Sequence, residues 1–143
     1  FEPVIVTRHV FDEEGNEVGS IKYKSVVYKY DVKNDIAILA NVSSSKFTDF
    51  VRINTHVKSG EKVYAIGSPH MWYGVISEGI VLKAKVLVQG AEMIMFDAAI
   101  APGSSGGGLF NDKGELIGIT NKLMPGSVFG FANPIKYMVE LNA

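Results

Sequence analysis

The residues of this sequence best suited to covalent chemistry lie in Phe96-Asp97-Ala98-Ala99-Ile100-Ala101-Pro102-Gly103-Ser104-Ser105-Gly106-Gly107-Gly108-Leu109-Phe110, where a serine sits inside a glycine turn. A serine hydroxyl is a poor nucleophile until a base removes its proton and nearby donors stabilise the oxyanion that follows. Glycines suit that chemistry, because they accept positive φ and let a substrate carbonyl come close to the backbone. The N–H groups of Gly103 and Ser105 are expected to point at one spot and form an oxyanion hole. A flexible Gly/Ser linker would instead separate domains. Here the tract joins Met93-Ile94-Met95-Phe96 directly to Leu109-Phe110 and then Leu116-Ile117-Gly118-Ile119, so a turn inside a folded barrel is expected.

A serine nucleophile needs a histidine base, and the histidine needs a carboxylate to hold its tautomer and stabilise the imidazolium. Asp35 is the best carboxylate, at the lip of an apolar strand in Asn34-Asp35-Ile36-Ala37-Ile38-Leu39. Its other reading is a turn aspartate that caps the Asp31–Asp35 corner. The histidines are His9, His56 and His70. There are no cysteines, which excludes disulfides, zinc-thiolate sites and cysteine nucleophiles. No metal and no cofactor is implied.

Strand signals supply the frame. Val4-Ile5-Val6-Thr7 and Val10-Phe11 are followed by the polar turn Asp12-Glu13-Glu14-Gly15-Asn16, a hairpin signal. Ile21 to Tyr28 continues as strand, and Asp31 to Asp35 forms a polar corner before Ile36-Ala37-Ile38-Leu39. Around Ser43-Ser44-Ser45-Lys46 the chain turns polar and connects two halves. Short apolar runs then recur from Val63 to Ala132, separated by Gly, Pro, Asn or Asp, as in an antiparallel barrel or sandwich. Only the end reads as helix, with Asn133 as N-cap, Pro134 at the first helical position, and Ile135, Met138, Val139 and Leu141 at near-helical spacing.

The halves are unequal. Residues from about 51 onward supply roughly six strands and a closing helix, whereas residues 1 to about 42 supply three strands. Half a barrel leaves strand edges unpaired, so a segment preceding Phe1 is expected, and Phe1-Glu2-Pro3 reads as the start of a processed product or fragment. At 143 residues the chain is one domain, or two small barrels sharing a core. The formal net charge is −1, and aromatics do not interleave with a basic patch, so nucleic acid is not an expected partner. No apolar run reaches transmembrane length, so membrane insertion is not expected either.

Taken in order, these segments resemble HtrA-like serine proteases of trypsin fold. Asp31-Val32-Lys33-Asn34-Asp35-Ile36-Ala37-Ile38-Leu39 resembles the segment around that family's catalytic aspartate. Gly60 to Pro69 and Ser77-Glu78-Gly79-Ile80-Val81 are similar to its next two strands. Asp97-Ala98-Ala99-Ile100 with Gly103-Ser104-Ser105-Gly106-Gly107 resembles its nucleophile loop, and Gly114 to Ile119 and Gly130-Phe131-Ala132-Asn133-Pro134 resemble the strands after it.

The resemblance implies an all-β fold of two antiparallel barrels, the first incomplete, with a short C-terminal helix. Residues 1–45 would be the partial N-terminal barrel and 46–143 the C-terminal one. It implies Ser105 as nucleophile, Asp35 as orienting carboxylate, and Gly103 and Ser105 as oxyanion donors. Ala99, Ile100, Gly130, Phe131 and Ala132 would line the primary substrate pocket, which carries no charge to pair with Lys or Arg. Asp97 would be structural. Where the family usually has asparagine stands Ser104, a departure that leaves a backbone oxyanion hole intact. The family's base lies upstream of its aspartate in a Thr-x-x-His pattern. Val6-Thr7-Arg8-His9 is one residue short of it, and the Val4 to Phe11 run aligns better with the strand after that histidine. His9 is therefore expected to be a strand residue, with His56 and His70 in surface or loop positions and the base upstream of Phe1; the alternative reading makes His9 itself the base.

The function implied is a serine endopeptidase acting on polypeptide through an acyl-enzyme, with an exposed strand able to hold substrate by β-augmentation. The alternative is a catalytically dead peptide- or protein-binding module of the same fold. Oligomeric state and compartment stay open.

Overall fold

The turns at both ends of the first half are set by single side chains. The carboxylate of Asp12 accepts the N–H groups of Glu14 and Asn16, both at 2.9 Å, and closes the first hairpin. Strands β1 (Val4–Phe11) and β2 (Glu17–Asp31) leave it antiparallel, and β3 (Ile36–Asn41) returns along the other side of β2. The result is an open three-stranded sheet in the order β1-β2-β3. The computed structural model describes residues 2–69 and 72–143.

The connection after β3 crosses to the second half. Phe47 packs on Tyr23 with ring centroids 4.5 Å apart. Farther on, the segment docks on the barrel as the Leu116 N–H donates to the Arg52 carbonyl at 2.8 Å and the Asn54 N–H to the Leu116 carbonyl at 3.0 Å. Six strands then close a barrel: β4 (Lys62–Gly67), β5 (Val75–Val88), β6 (Ala91–Phe96), β7 (Gly108–Asn111), β8 (Leu116–Leu123) and β9 (Gly130–Pro134). Their order round the barrel is β4-β5-β6-β9-β8-β7. Closure removes the unpaired edges that an open sheet would present.

Alternation puts the core inside that barrel. Val63, Ala65, Val81, Ile94, Phe96, Ala98, Leu109, Ile117 and Ala132 form one buried cluster. The open sheet has no counterpart. Ile5 is 57% exposed and Val18 64%. Tyr23 is the largest side chain that the open sheet buries. The rigid part of the molecule is thus the barrel, and the Asp35 turn is carried by the less buried half.

The C-terminal helix begins later than its sequence signals indicate. Asn133 and Pro134 belong to β9, paired with Ile119 and Gly118 of β8. The ladder runs one residue further, because the Ile135 N–H donates to the Ile117 carbonyl at 2.9 Å. Ile135 is where ladder gives way to helix, its N–H in the ladder and its carbonyl accepting the Met138 and Val139 N–H groups, so α1 spans Lys136–Asn142 with Ile135 at its cap. Asn133 is not the cap, and its side chain is engaged elsewhere. Tyr137, absent from the expected apolar face, is the residue α1 buries, while Val139 is exposed. Tyr137 donates its hydroxyl to the Glu92 carbonyl at 2.6 Å, and Lys136 pairs with the Glu92 carboxylate. Burial pushes the Tyr137 hydroxyl above its ordinary value, and the Glu92 carboxylate does the same for Lys136.

Candidate active site

Two consecutive tight turns present Ser105. In Ala101-Pro102-Gly103-Ser104 the Ser104 N–H closes on the Ala101 carbonyl at 2.9 Å, with Gly103 at φ +97°. Proline second and glycine third, with positive φ at the glycine, is the pattern a type II turn demands. Ser104 then opens a second turn. The Gly107 N–H closes on the Ser104 carbonyl at 3.0 Å, with Gly106 at φ +91°. Ser105 occupies the tip of this second turn and is exposed. The N–H groups of Gly103 and Ser105 donate to no protein acceptor among the described residues.

The barrel holds both turns from below. Gly106 N–H donates to the Thr120 carbonyl at 2.7 Å, and Thr120 N–H to the Gly107 carbonyl at 2.8 Å, so the loop is sewn onto β8. Ser77 donates its hydroxyl to the Ala99 carbonyl at 2.6 Å. Asp97 accepts the Ile80 N–H at 2.8 Å, which fixes the start of the loop to β5. Ser104 is 6% exposed, and its Oγ accepts the Ala101 N–H at 3.2 Å. Its side chain therefore has a local structural task that the sequence reading left to the backbone alone.

Asp35 ends the corner between β2 and β3. The corner is capped by Asp31, whose carboxylate accepts both the backbone N–H of Asn34 (3.2 Å) and its side-chain amide (2.7 Å). Those bonds hold the Asp31 carboxyl below its ordinary value. Asp35 itself has φ +52°, is exposed, and its carboxylate makes no hydrogen bond among the described residues. The capping role thus belongs to its neighbour, and the Asp35 carboxylate is free for another.

Three hydrogen bonds connect the Ser105 turn with the Asp35 turn. Ser105 Oγ donates to the Asn121 carbonyl at 2.6 Å, Asn121 Nδ2 to Asn133 Oδ1 at 3.2 Å, and Asn133 Nδ2 to the Asp35 carbonyl at 3.4 Å. A cavity of about 210 Å³ beside this path is lined by Asn34, Asp35, Asn121, Lys122 and Asn133 among others. A second, of about 270 Å³, lies on the Ser105 side and is lined by Ile100, Ala101, Pro102, Ser105, Lys122 and Leu123 among others.

Of the five expected pocket residues, one reaches the second cavity. Ile100 lines it directly, and Ala99 lines a much smaller cleft behind the loop with Ser104 and Thr120. Gly130 packs face-on against Phe96 and Ile100, where a Cβ would come within 2.9 Å of both. Phe131 and Ala132 are buried in β9.

Neither His9 nor His56 lines the cavities beside Ser105 and Asp35. His9 lies in β1 opposite Ser20, paired with Glu17 and stacked on Tyr73 at 3.9 Å between ring centroids. His56 is exposed at a groove with Lys58, Lys85 and Lys136. His70 lies outside the described residues. Among the described residues there is no cluster of metal-ligating side chains. Asn121 and Asn133 are the residues the sequence reading did not place at the site. The available signal was the run of polar residues, Thr120-Asn121-Lys122, in a strand that should be apolar on its barrel face.

A six-stranded barrel that clamps a serine on paired glycine turns beside an open sheet is the architecture of a trypsin-fold peptidase domain. A model of the trypsin-like peptidase domain matches residues 4–119, and the chain belongs to that family. It is 32% identical over 152 residues to a probable periplasmic serine endoprotease, DegP-like, of Buchnera aphidicola subsp. Baizongia pistaciae, covering 96% of this chain and 32% of that protein. It is 36% identical over 123 residues to a protein of the same description from Pseudomonas putida (78% of this chain, 25% of that one). The chain thus spans between a quarter and a third of the length of these relatives. Among solved structures it is similar to the MamO protease domain of Magnetospirillum magneticum, with a TM-score of 0.71 at 26% identity over 94% of this chain and 73% of that one.

Proposed function

We propose that this chain is the core of a serine endopeptidase, with residues 1–45 a partial first barrel carrying the carboxylate and 46–143 the barrel carrying the nucleophile. The observation that carries this reading is Ser105, exposed at the tip of a glycine turn whose neighbouring N–H groups, those of Gly103 and Ser105, have no protein acceptor among the described residues. Two free N–H groups beside a serine hydroxyl are what acyl transfer requires for its oxyanion.

Ser105 Oγ attacks the scissile carbonyl and passes its proton to an imidazole base, which no described histidine of this chain supplies. The Gly103 and Ser105 N–H groups receive the developing oxyanion. Collapse of the tetrahedral intermediate expels the amine, which takes the proton from the imidazolium, and water then hydrolyses the acyl-enzyme by the same route. Asp35 holds the imidazole in the correct tautomer and stabilises its charge. The cavity beside Ser105, walled by Ile100, Ala101, Pro102 and Leu123, takes a small or medium aliphatic side chain of the polypeptide substrate.

No described histidine stands beside Ser105, and that observation favours one second reading: a binding module that keeps the groove without turnover. Incubation of the folded protein with an unstructured polypeptide and imidazole as external base separates the two. An endopeptidase core cuts the polypeptide, and Ser105→Ala abolishes cutting. A polypeptide that binds and stays intact with imidazole present supports the module and overturns the peptidase.

A further inference from the structure

We propose that Asn133, acting with Asn121, is a positioning residue that locks the Asp35 turn to the strand holding Ser105. This rests on the reading of Ser105 and Asp35 given above, and it adds two residues to that site which neither attack nor orient the base themselves.

The case begins with burial. Asn133 is 2% exposed on β9, among residues that are buried throughout the strand. An amide in such a place costs stability unless both of its ends are bonded. Both are: Oδ1 accepts from Asn121 Nδ2 at 3.2 Å, and Nδ2 reaches the Asp35 carbonyl at 3.4 Å. A carboxylate at position 133 could accept from Asn121 but could not donate to a carbonyl. A leucine of similar size could do neither. A primary amide serves both neighbours at once.

The bond to Asp35 is long for an N–H···O contact, so it contributes little to global stability. Its consequence is geometric. It spans 98 residues and joins the open sheet to the closed barrel. It ends on a residue at φ +52°, a left-handed turn conformation that aspartate adopts more readily than most non-glycine residues. Asn121 extends the same path to the nucleophile, since its main-chain carbonyl accepts the Ser105 hydroxyl. The exposed half of the molecule is thus referred to the rigid half at the point where the carboxylate emerges. Loss of that reference lets the Asp35 turn drift, and a displacement of about 1 Å costs up to about 10²-fold in rate.

The test uses Asn133→Asp, which keeps the acceptor and removes the donor, and Asn133→Gln, which keeps both. Backbone NMR of the whole chain reads the amide and carbonyl resonances of residues 32–36. A fluorophosphonate probe with imidazole reads the reaction at Ser105, separated into probe affinity and bond-forming rate. In Asn133→Asp the Asp35 carbonyl resonance should move and the 32–36 amides exchange faster. The bond-forming rate should fall about 10- to 100-fold while probe affinity stays within about twofold. Asn133→Gln should recover part of both effects. A folded Asn133→Asp protein with unmoved 32–36 resonances would overturn the inference, as would an unchanged bond-forming rate. If Asn133→Asp does not fold, Asn121→Ala at a half-buried position removes the anchor of the Asn133 amide and is read identically. A parent protein that never reacts with the probe counts against the nucleophile reading alone, because the 32–36 resonances still decide whether the turn is locked.

Discussion

The Ser105 hydroxyl donates to the main-chain carbonyl of Asn121 at 2.6 Å. This bond sets the resting direction of the side chain: Oγ lies against β8, at the junction of the two cavities that Asn121 helps to line. Attack on a carbonyl requires the proton of that bond to pass to a base, so the hydroxyl must rotate off Asn121 as the base engages. The N–H groups proposed as oxyanion donors need no such movement, since the loop that carries them is already bonded to β8 at Gly106 and Gly107, directly after Ser105, and closed at Ser104 on the Ala101 carbonyl. Preorganised donors of this kind act without reorganisation at the moment of reaction.

The nucleophile loop should be intolerant of bulk at Gly79. A Cβ there would lie 2.3 Å from the Ala98 nitrogen and 2.4 Å from Asp97 Oδ1, the oxygen that accepts the Ile80 N–H. Gly79→Ala must push β5 away from the start of the loop, at a cost of about 1–3 kcal/mol. A thermal melt reads this directly. An unchanged melting temperature would mean that the Asp97 clamp is soft.

Cleavage preference follows from the walls of the cavity beside Ser105. Ile100, Ala101, Pro102 and Leu123 are apolar, and the one charged side chain in the lining is Lys122, whose Nζ bonds to Gln89 at 3.1 Å. A peptide library offered with imidazole should be cut after alanine, valine or leucine. Systematic cutting after Lys or Arg would contradict the assignment of this cavity, because it holds no carboxylate to pair with them.

Acid should loosen the corner that carries Asp35. Hydrogen bonds from Asn34 hold the Asp31 carboxyl below its ordinary value of 3.8. A carboxyl depressed in the folded state adds stability that is present above the ordinary value and is lost as pH falls through the folded one. NMR titration of Asp31 should therefore give a midpoint below 3.8, and Asn34→Ala should return it towards that value. The same midpoint in both proteins would show that the Asn34 bonds do not form in solution.

The barrel was legible in the sequence because its strands are short, apolar and punctuated, and their alternation predicts which side chains fill the core. Ile94 and Phe96 follow that rule, as do Val63 and Ala65. The turns around Ser105 were legible for a similarly local reason, since Pro102-Gly103 and Ser105-Gly106 dictate turn geometry within four residues. The helix start was not. Asn133-Pro134 carries a genuine local cap signal, and a long-range ladder bond from Ile135 to Ile117 overrides it. The side-chain bonds of Asn133 were hidden for the same reason, because its partners lie 12 and 98 residues away. Nor was it legible that Asp31, not Asp35, caps the corner, although Asp31 stands only three residues before Asn34.

The most direct measurement of the central assignment is mass spectrometry of the folded protein after reaction with a fluorophosphonate probe, with and without imidazole. The expected result is a single adduct on Ser105, formed faster as imidazole rises and absent from Ser105→Ala. Imidazole that Asp35 orients but that is not tethered to the chain should accelerate less than the about 10²- to 10⁴-fold of a positioned base. A folded protein that carries no adduct on Ser105 at high imidazole, or an adduct on another residue that survives Ser105→Ala, would contradict Ser105 as the nucleophile.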